Sequence, residues 1–403
     1  MERTVRLYRW YALTFNAYFW MPVFVLYFLR HMPLADVLRL ESVYYLGVVL
    51  LEVPSGYFSD RIGRRPTLLL ACGFLIAAYS LFAAGSSFAV FAIAQILLAA
   101  GLAFNSGTDT SLHYDALTTL GRDSEYGTRE ALAARNALLA SAVGGLLGGL
   151  AGSFDLRLAY VLSAASAVAS LIIVIAMREP TSHERTLAPP GPVHQAKLCL
   201  GLLSDGSLIW TFAYAVFMTV INHVPYEFYQ PYLQLAFAEN SALRGGSPAL
   251  AGVHMGVAML LASSVAGRSI RLRDRLGYTP VLLIAAALQA VIIVAMGLVL
   301  HPIVLVLVLL RSIPRALSAA PLNSFISPRV PKGQRATYLS IQSLAGRLAF
   351  AGVLAAISFV GQPGEVDGSW ASVSSRLLGC AALAIAGLLL LSATAAWRDP
   401  QKE

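Results

Sequence analysis

Twelve apolar runs follow one another along the 403-residue chain, near residues 8–30, 40–58, 66–85, 88–112, 130–152, 157–178, 206–236, 249–270, 279–299, 302–325, 336–360 and 372–397. Each has about the 20 residues that carry a helix across a bilayer. In hydrocarbon every backbone N–H and C=O must be satisfied within its own segment, so runs of this length become helices. Composition agrees. Charged residues make up 12% of the chain, where a soluble domain carries about 25% to keep its surface wetted. The expected fold class is an all-α membrane protein with twelve transmembrane helices, lipid being the solvent for most of its outer surface.

Between the sixth and seventh runs lies the longest polar stretch, 179–200, with Pro180, Pro189, Pro190 and Pro192. It divides the chain into a six-helix bundle over 1–178, a linker over 179–200 and a second six-helix bundle over 201–403. Charge orients the array. With the N-terminus inside, the inner connections and termini hold twenty basic residues and the outer ones five, Arg30, Arg39, Arg157, Arg244 and Arg376. That asymmetry places both termini and the linker in the cytoplasm. The net charge of +8 therefore reads as membrane orientation, and no nucleic-acid partner is expected. Arginine outnumbers lysine heavily and alanine is abundant, which points to a GC-rich bacterial genome and to the cytoplasmic membrane. Cys72, Cys199 and Cys380 are far apart in apolar surroundings, so neither a disulfide framework nor a metal site is expected. The first run lacks a small-residue cleavage site and reads as a retained helix.

Polarity follows a second rule. The third, sixth, ninth and twelfth runs have no ionisable side chain in their cores, while the others carry Asn16 and Trp20, Glu52, Gln95, Asn105 and Asp109, Arg135, Asn222, His223 and Glu227, His254, Arg311, Gln342 and Arg347. Ionisable groups at membrane depth face protein or a water-filled cavity. Eight helices around a polar cavity and four as an apolar scaffold suit a transporter.

Between the second and third runs stands Gly56-Tyr57-Phe58-Ser59-Asp60-Arg61-Ile62-Gly63-Arg64-Arg65, and Asp274-Arg275-Leu276-Gly277 echoes it 214 residues later, between the eighth and ninth. The first resembles the G-x-x-x-D-R-x-G-R-R/K signature of the major facilitator superfamily, at its expected place, and the echo is the half-length repeat of that fold. The resemblance covers the whole chain. It implies two pseudo-symmetric six-helix bundles and a conformational latch, built from Gly56, Asp60, Arg61, Gly63 and Arg64, that holds the outward-open state. Asp115 is a candidate charge partner or else a solvated helix-end carboxylate.

Glu52 in Leu-Glu-Val-Pro-Ser-Gly, and Ser106-Gly107-Thr108-Asp109 before His113-Tyr114-Asp115, resemble drug-exporter-like members. Asp109, Glu52 and Glu227 are the proton-coupling candidates. For Asp109 the competing reading is a structural salt bridge with Arg135 at matching depth. Pro225 and Pro231 in the seventh run should break its backbone, and broken helices are where such carriers build sites. Spans one, four, seven and ten line the cavity in this family, and an arginine in hydrocarbon must pair or meet a ligand anion, so Asn16, Trp20, Asn105, His223, Tyr226, Arg311 and, mid-span in the eleventh, Arg347 are the substrate-binding candidates. His223 and Glu227 could instead stand in an outer vestibule, and Arg311 and Arg347 could pair with internal carboxylates. Tyr18, Trp20, Tyr27, Tyr226 and Tyr229 could stack on a ring-bearing substrate or belong to the interfacial belt. Gly144, Gly148 and Gly152 form a surface for close helix contact, without the Gly-Pro pair that drug:proton antiporters carry there.

With no Walker A sequence, ATP is not the expected energy source and no cofactor is expected. The reading is a monomeric secondary transporter, not an enzyme, working by alternating access, with a small molecule and protons as partners in the bilayer. Proton-coupled export of a small amphipathic organic compound comes first. Uptake of an organic anion is the alternative, favoured if Arg311 or Arg347 faces the cavity, and a transporter-like membrane sensor is the alternative of another class.

Overall fold

The computed structural model describes residues 1–32, 34–180, 191–236, 248–358 and 370–395. The middle of the expected linker, 181–190, lies outside them, as do Arg244, Arg398 and Lys402. The first bundle contains α1 (Glu2–Phe15), α2 (Phe24–Leu29), α3 (Leu34–Ile62), α4 (Arg64–Ala84), α5 (Phe88–Asn105), α6 (Thr108–Thr119), α7 (Tyr126–Phe154) and α8 (Leu156–Ala176). After the short α9 (Pro192–Gly201) come α10 (Gly206–Ala236), α11 (Pro248–Ala266), α12 (Ser269–Leu276), α13 (Tyr278–Leu298), α14 (Pro302–Val308), α15 (Ile313–Arg329), α16 (Arg335–Ser358) and α17 (Trp370–Ala395).

Among the described residues, eight stretches are long and apolar enough to cross a membrane, and α11 with α12, bent by 48°, makes a ninth. The other expected spans are α1 with α2, α3, and α16. The first is interrupted, and α3 carries Asp36, Arg39, Glu41, Glu52, Asp60 and Arg61 within one helix. The two largest apolar cores lie one in each half, from residues between Tyr8 and Met177 and between Cys199 and Ala395, and a small cluster of Ala131, Ile270 and Ala320 crosses between the bundles. The repeat is visible in the backbone. Gly63 (φ 127°) and Gly277 (φ 95°) each begin a helix from a conformation that favours glycine, so both Asp-Arg-x-Gly units end in the same sharp corner.

The breaks fall elsewhere than expected. α10 runs through Pro225 and Pro231 as one α-helix of 31 residues, a correction to the expected interruption. Each proline removes one backbone donor, and a membrane helix packed against neighbours tolerates that loss. Spans one, four and ten are interrupted, besides the bend of span eight into α12. The first unwinds from Asn16 to Val23, the fourth at Ser106-Gly107, where Gly107 is left-handed (φ 70°), and the tenth at Leu309–Ser312, just before Pro314.

Glycines on α7 serve two faces. A methyl at Gly144 would lie 3.0 Å from the Tyr18 nitrogen, one at Gly148 would overlap the Phe19 carbonyl, and one at Gly152 would meet Val23. This stripe cradles the unwound part of span one. The second stripe crosses to the other bundle: a methyl at Gly252 would lie 2.5 Å from the Gly145 carbonyl and 3.0 Å from the Gly149 Cα. Tyr27 is a core residue, 1% exposed with its hydroxyl donating to the Phe82 carbonyl at 2.6 Å, and so belongs neither to a belt nor to a cavity wall.

Candidate functional site

At the arginine-rich end, one carboxylate joins the two bundles. Asp60 sits in the last turn of α3, and the corner at Gly63 turns Arg64 back onto it. The same carboxylate accepts the backbone N–H of Ala336 (3.3 Å) and Thr337 (2.9 Å), the Thr337 hydroxyl (2.6 Å) and the Gln195 amide (3.1 Å). Those N–H groups belong to the first turn of α16, which has no partner for them of its own. Asp60 thus acts as an N-cap supplied by the other bundle, where the helix dipole favours a negative charge.

Asp115, at the far end of span four, extends the junction. It accepts Arg64 Nε at 3.3 Å and pairs with Arg335, whose Nε donates to the Ser327 carbonyl at 2.9 Å and whose guanidinium lies 4.2 Å over the Tyr114 ring. Arg64 also donates to the Lys332 carbonyl at 2.7 Å. The side chains of Arg64, Asp115 and Arg335 are at most 6% exposed. Asp115 is therefore no solvated helix-end group. Gly56 lets α3 approach α16, since a methyl there would lie 2.6 Å from Ser340 Oγ. Arg61 lies 5.5 Å over the Tyr57 ring. Glu179 accepts the backbone N–H groups of Arg64 (2.8 Å) and Arg65 (2.7 Å) and caps α4. Gln195, Thr337, Arg335 and Glu179 were missed in the sequence. The one local signal was an arginine opening the eleventh run just past Pro331-Lys332-Gly333.

Deeper in, the candidates gather at the helix breaks. Asp109 is the second residue of α6 and takes hydrogen bonds from the Asn105 side chain and from its own helix start. Asn105 Oδ1 accepts the Tyr11 hydroxyl at 2.5 Å. The salt bridge with Arg135 is not formed. Arg135 lays its stem against Gly267 of the other bundle and accepts Ser263 on its carbonyl. The break at Gly107 reorients α6 relative to α5, so matching depth does not become facing side chains. Glu52 is fully buried and accepts the Ser106 hydroxyl at 2.6 Å. The pair His113–Glu130 (3.0 Å), with His113 stacked on Tyr8 (ring centroids 4.0 Å apart), was not singled out from the sequence.

The substrate candidates separate. Asn16 donates to the Ala12 carbonyl and accepts the Tyr18 hydroxyl. Trp20 turns into its own bundle, donating to the Tyr79 hydroxyl at 3.1 Å. His223 holds the Thr219 carbonyl at 2.6 Å with its ring 4.8 Å from Phe350. Tyr226 and Glu227 are exposed toward the opposite end of α10, Glu227 within electrostatic reach of Glu41 and Tyr45 on the other bundle. Arg311, inside the break of span ten, meets His254 at 3.4 Å. Arg347 donates to the Ser343 hydroxyl and the Tyr44 hydroxyl. Among the described residues no three His, Cys, Asp or Glu side chains converge as a metal site.

The chain matches the sequence profile of the Major Facilitator Superfamily over residues 11–356. No curated protein matches it in sequence. Solved structures do. The human organic anion transporter MFSD10 (TETRAN) is 19% identical, with a TM-score of 0.74 over 97% of this chain and 99% of that one. A bacterial homologue of the iron transporter ferroportin, in its outward-facing state, is 16% identical with a TM-score of 0.70 over 97% and 99%. An E. coli fucose:proton symporter is 15% identical with a TM-score of 0.69 over 98% and 97%. At these identities the likeness is one of fold.

Proposed function

The chain belongs to the Major Facilitator Superfamily, and from that premise we propose that it is a proton-coupled secondary transporter of a small amphipathic organic compound. It works by alternating access, with residues 1–178 and 201–403 rocking as two bodies joined by the 179–200 linker. It acts as a monomer in the bacterial cytoplasmic membrane, and the arginine-rich end is the cytoplasmic face. The observation that carries the reading is the Asp60 carboxylate of one bundle capping α16 of the other. A contact of that kind closes one face, and releasing it opens that face. Asp109 at a helix break and buried Glu52 are the groups proposed to take the proton, with Glu227 at the opposite vestibule. Export requires proton and substrate to occupy the cavity in turn, and uptake requires them to ride together. The sign of the pH change that accompanies substrate movement into vesicles tells the two apart.

Paired distance labels test the closure. One pair, Ser124→Cys with Leu276→Cys, spans the arginine-rich end, and another, Ser86→Cys with Val299→Cys, spans the opposite end. Asp60→Asn replaces charge-assisted bonds, each worth about 1.5–3 kcal/mol, with weaker ones. The expected result is a 10- to 100-fold rise in the separated population at the first pair (about 1.4 kcal/mol per tenfold), with shortening at the second. Unchanged distributions at both pairs would show that Asp60 does not hold the bundles.

Orientation has its own test. The native cysteines are all buried, so single cysteines report cleanly. In intact cells an impermeant thiol reagent should label Ser86→Cys and leave Val193→Cys, on the exposed side of α9, unlabelled until the cells are broken. The reverse pattern would invert the topology.

A further inference from the structure

Arg315 is the third residue of α15, in the middle of span ten, and it is exposed although Pro314 and Ala316 beside it are buried. Its electrostatic neighbours are Tyr18, in the unwound part of span one, and Arg347 on α16. His223 on α10 lies within reach of both arginines. Arg315 therefore opens onto the space between the bundles, not onto lipid. Neither Arg315 nor Arg347 takes part in an ion pair among the described residues.

That arrangement opposes itself three times over. A cation at mid-membrane is costly, a cation in the first turn of a helix meets the positive end of the dipole, and two neighbouring guanidiniums repel. The first bundle's carboxylates stand one group away. Tyr18 lies within reach of Asp109 as well as Arg315, and Tyr44 within reach of Glu52 as well as Arg347. Each tyrosine thus has both an acid and a base within reach.

We propose that Arg315 and Arg347 form the anchor for an organic anion, a carboxylate or sulfonate on an apolar or aromatic body. Two planar donor forks suit the paired oxygens of such a head group. Tyr18, Tyr44 and Phe350, the last beside His223, provide rings for the body. The proposal rests on the transport reading for its purpose, but its chemistry is measurable in a binding experiment alone.

The test is thermal unfolding of the purified full-length chain in detergent, with naphthoate, naphthalenesulfonate, naphthalenemethanol or naphthylmethylammonium as probe. Both anions should raise the midpoint by several degrees, while the alcohol and the amine leave it in place. Arg315→Gln and Arg347→Gln should each remove most of that shift. With no probe present, Arg315→Gln should unfold at or above the wild-type temperature, because it deletes an uncompensated charge. Equal stabilisation by the alcohol or the amine would overturn the anion class. So would a shift that survives the double variant, or an Arg315→Gln protein that is less stable than wild type, as removal of a structural brace would make it. If the anions fail while the paired distance labels still show both ends opening in alternation, the anion class falls and the transport reading stands. If the labels fail and the anions bind, the reverse holds.

Discussion

Gly148→Ala should leave almost no folded protein. The added methyl would overlap the Phe19 carbonyl oxygen, with the Phe19 carbonyl carbon at 2.7 Å and its Cα at 2.8 Å. Side chains can rotate away from an intruding methyl, and a backbone held against its neighbours cannot. Overpacking costs about 1–3 kcal/mol when side chains yield and more when they do not, so we expect at least about 3 kcal/mol here, a large part of a total stability of about 5–15 kcal/mol. Gly73→Ala is the matched control, since its methyl would meet nothing within 4 Å and alanine favours the helix by up to about 1 kcal/mol. Size-exclusion profiles and melting curves in detergent should show Gly148→Ala aggregated and Gly73→Ala at or above wild type. A monodisperse Gly148→Ala with a wild-type melting point would mean that α7 and the unwound segment are not packed as described.

Asp115→Ala should come next in size. It strips the shared carboxylate from Arg64 and Arg335, whose side chains are 6% and 5% exposed. Removing one partner of a buried ion pair costs about 3–5 kcal/mol, mostly because the remaining charge is uncompensated. The melting point should fall steeply, and in surviving protein the arginine-rich end should stand open. Arg335→Met added to Asp115→Ala should restore much of the stability, because the stranded charge goes with it. If Asp115→Ala melts with the wild type, the three-residue network contributes nothing.

What could be read from the sequence follows from what each property depends on. Span positions were legible because apolar length is a property of the segment alone, and α10 begins and ends at the expected residues. Asp60 and Arg64 were legible because the motif is local. Their partners were not: Gln195 and Thr337 reach Asp60 across 135 and 277 residues, and nothing near them marks them as ligands of a carboxylate. The prolines of the seventh run were read correctly as residues and wrongly as a break. Whether a missing donor unwinds a helix depends on what packs around it. Asp109 and Arg135 failed as a pair for a related reason. Depth can be counted along a helix, but the direction a side chain faces after a left-handed glycine cannot.

The glycine-to-glycine face between α7 and α11 has a mechanical consequence. Interlocked side chains act as gear teeth, and turning one helix against another must lift each tooth from its socket. Gly145 and Gly149 against Gly252 offer backbone to backbone, with Met255 against Gly145 and Leu146 against Gly256 as the few teeth beside them, so the face resists rotation less than a fully interlocked one. It lies about 30 Å along α7 from the arginine-rich end, at 1.5 Å per residue. A turn of about ten degrees about such a fulcrum displaces the far end of an arm of about 30 Å by about 5 Å, more than the hydrogen bonds to Asp60 can stretch. On the transport reading proposed above, the bundles would swing where they touch most closely and be held by charge where the lever arm is longest.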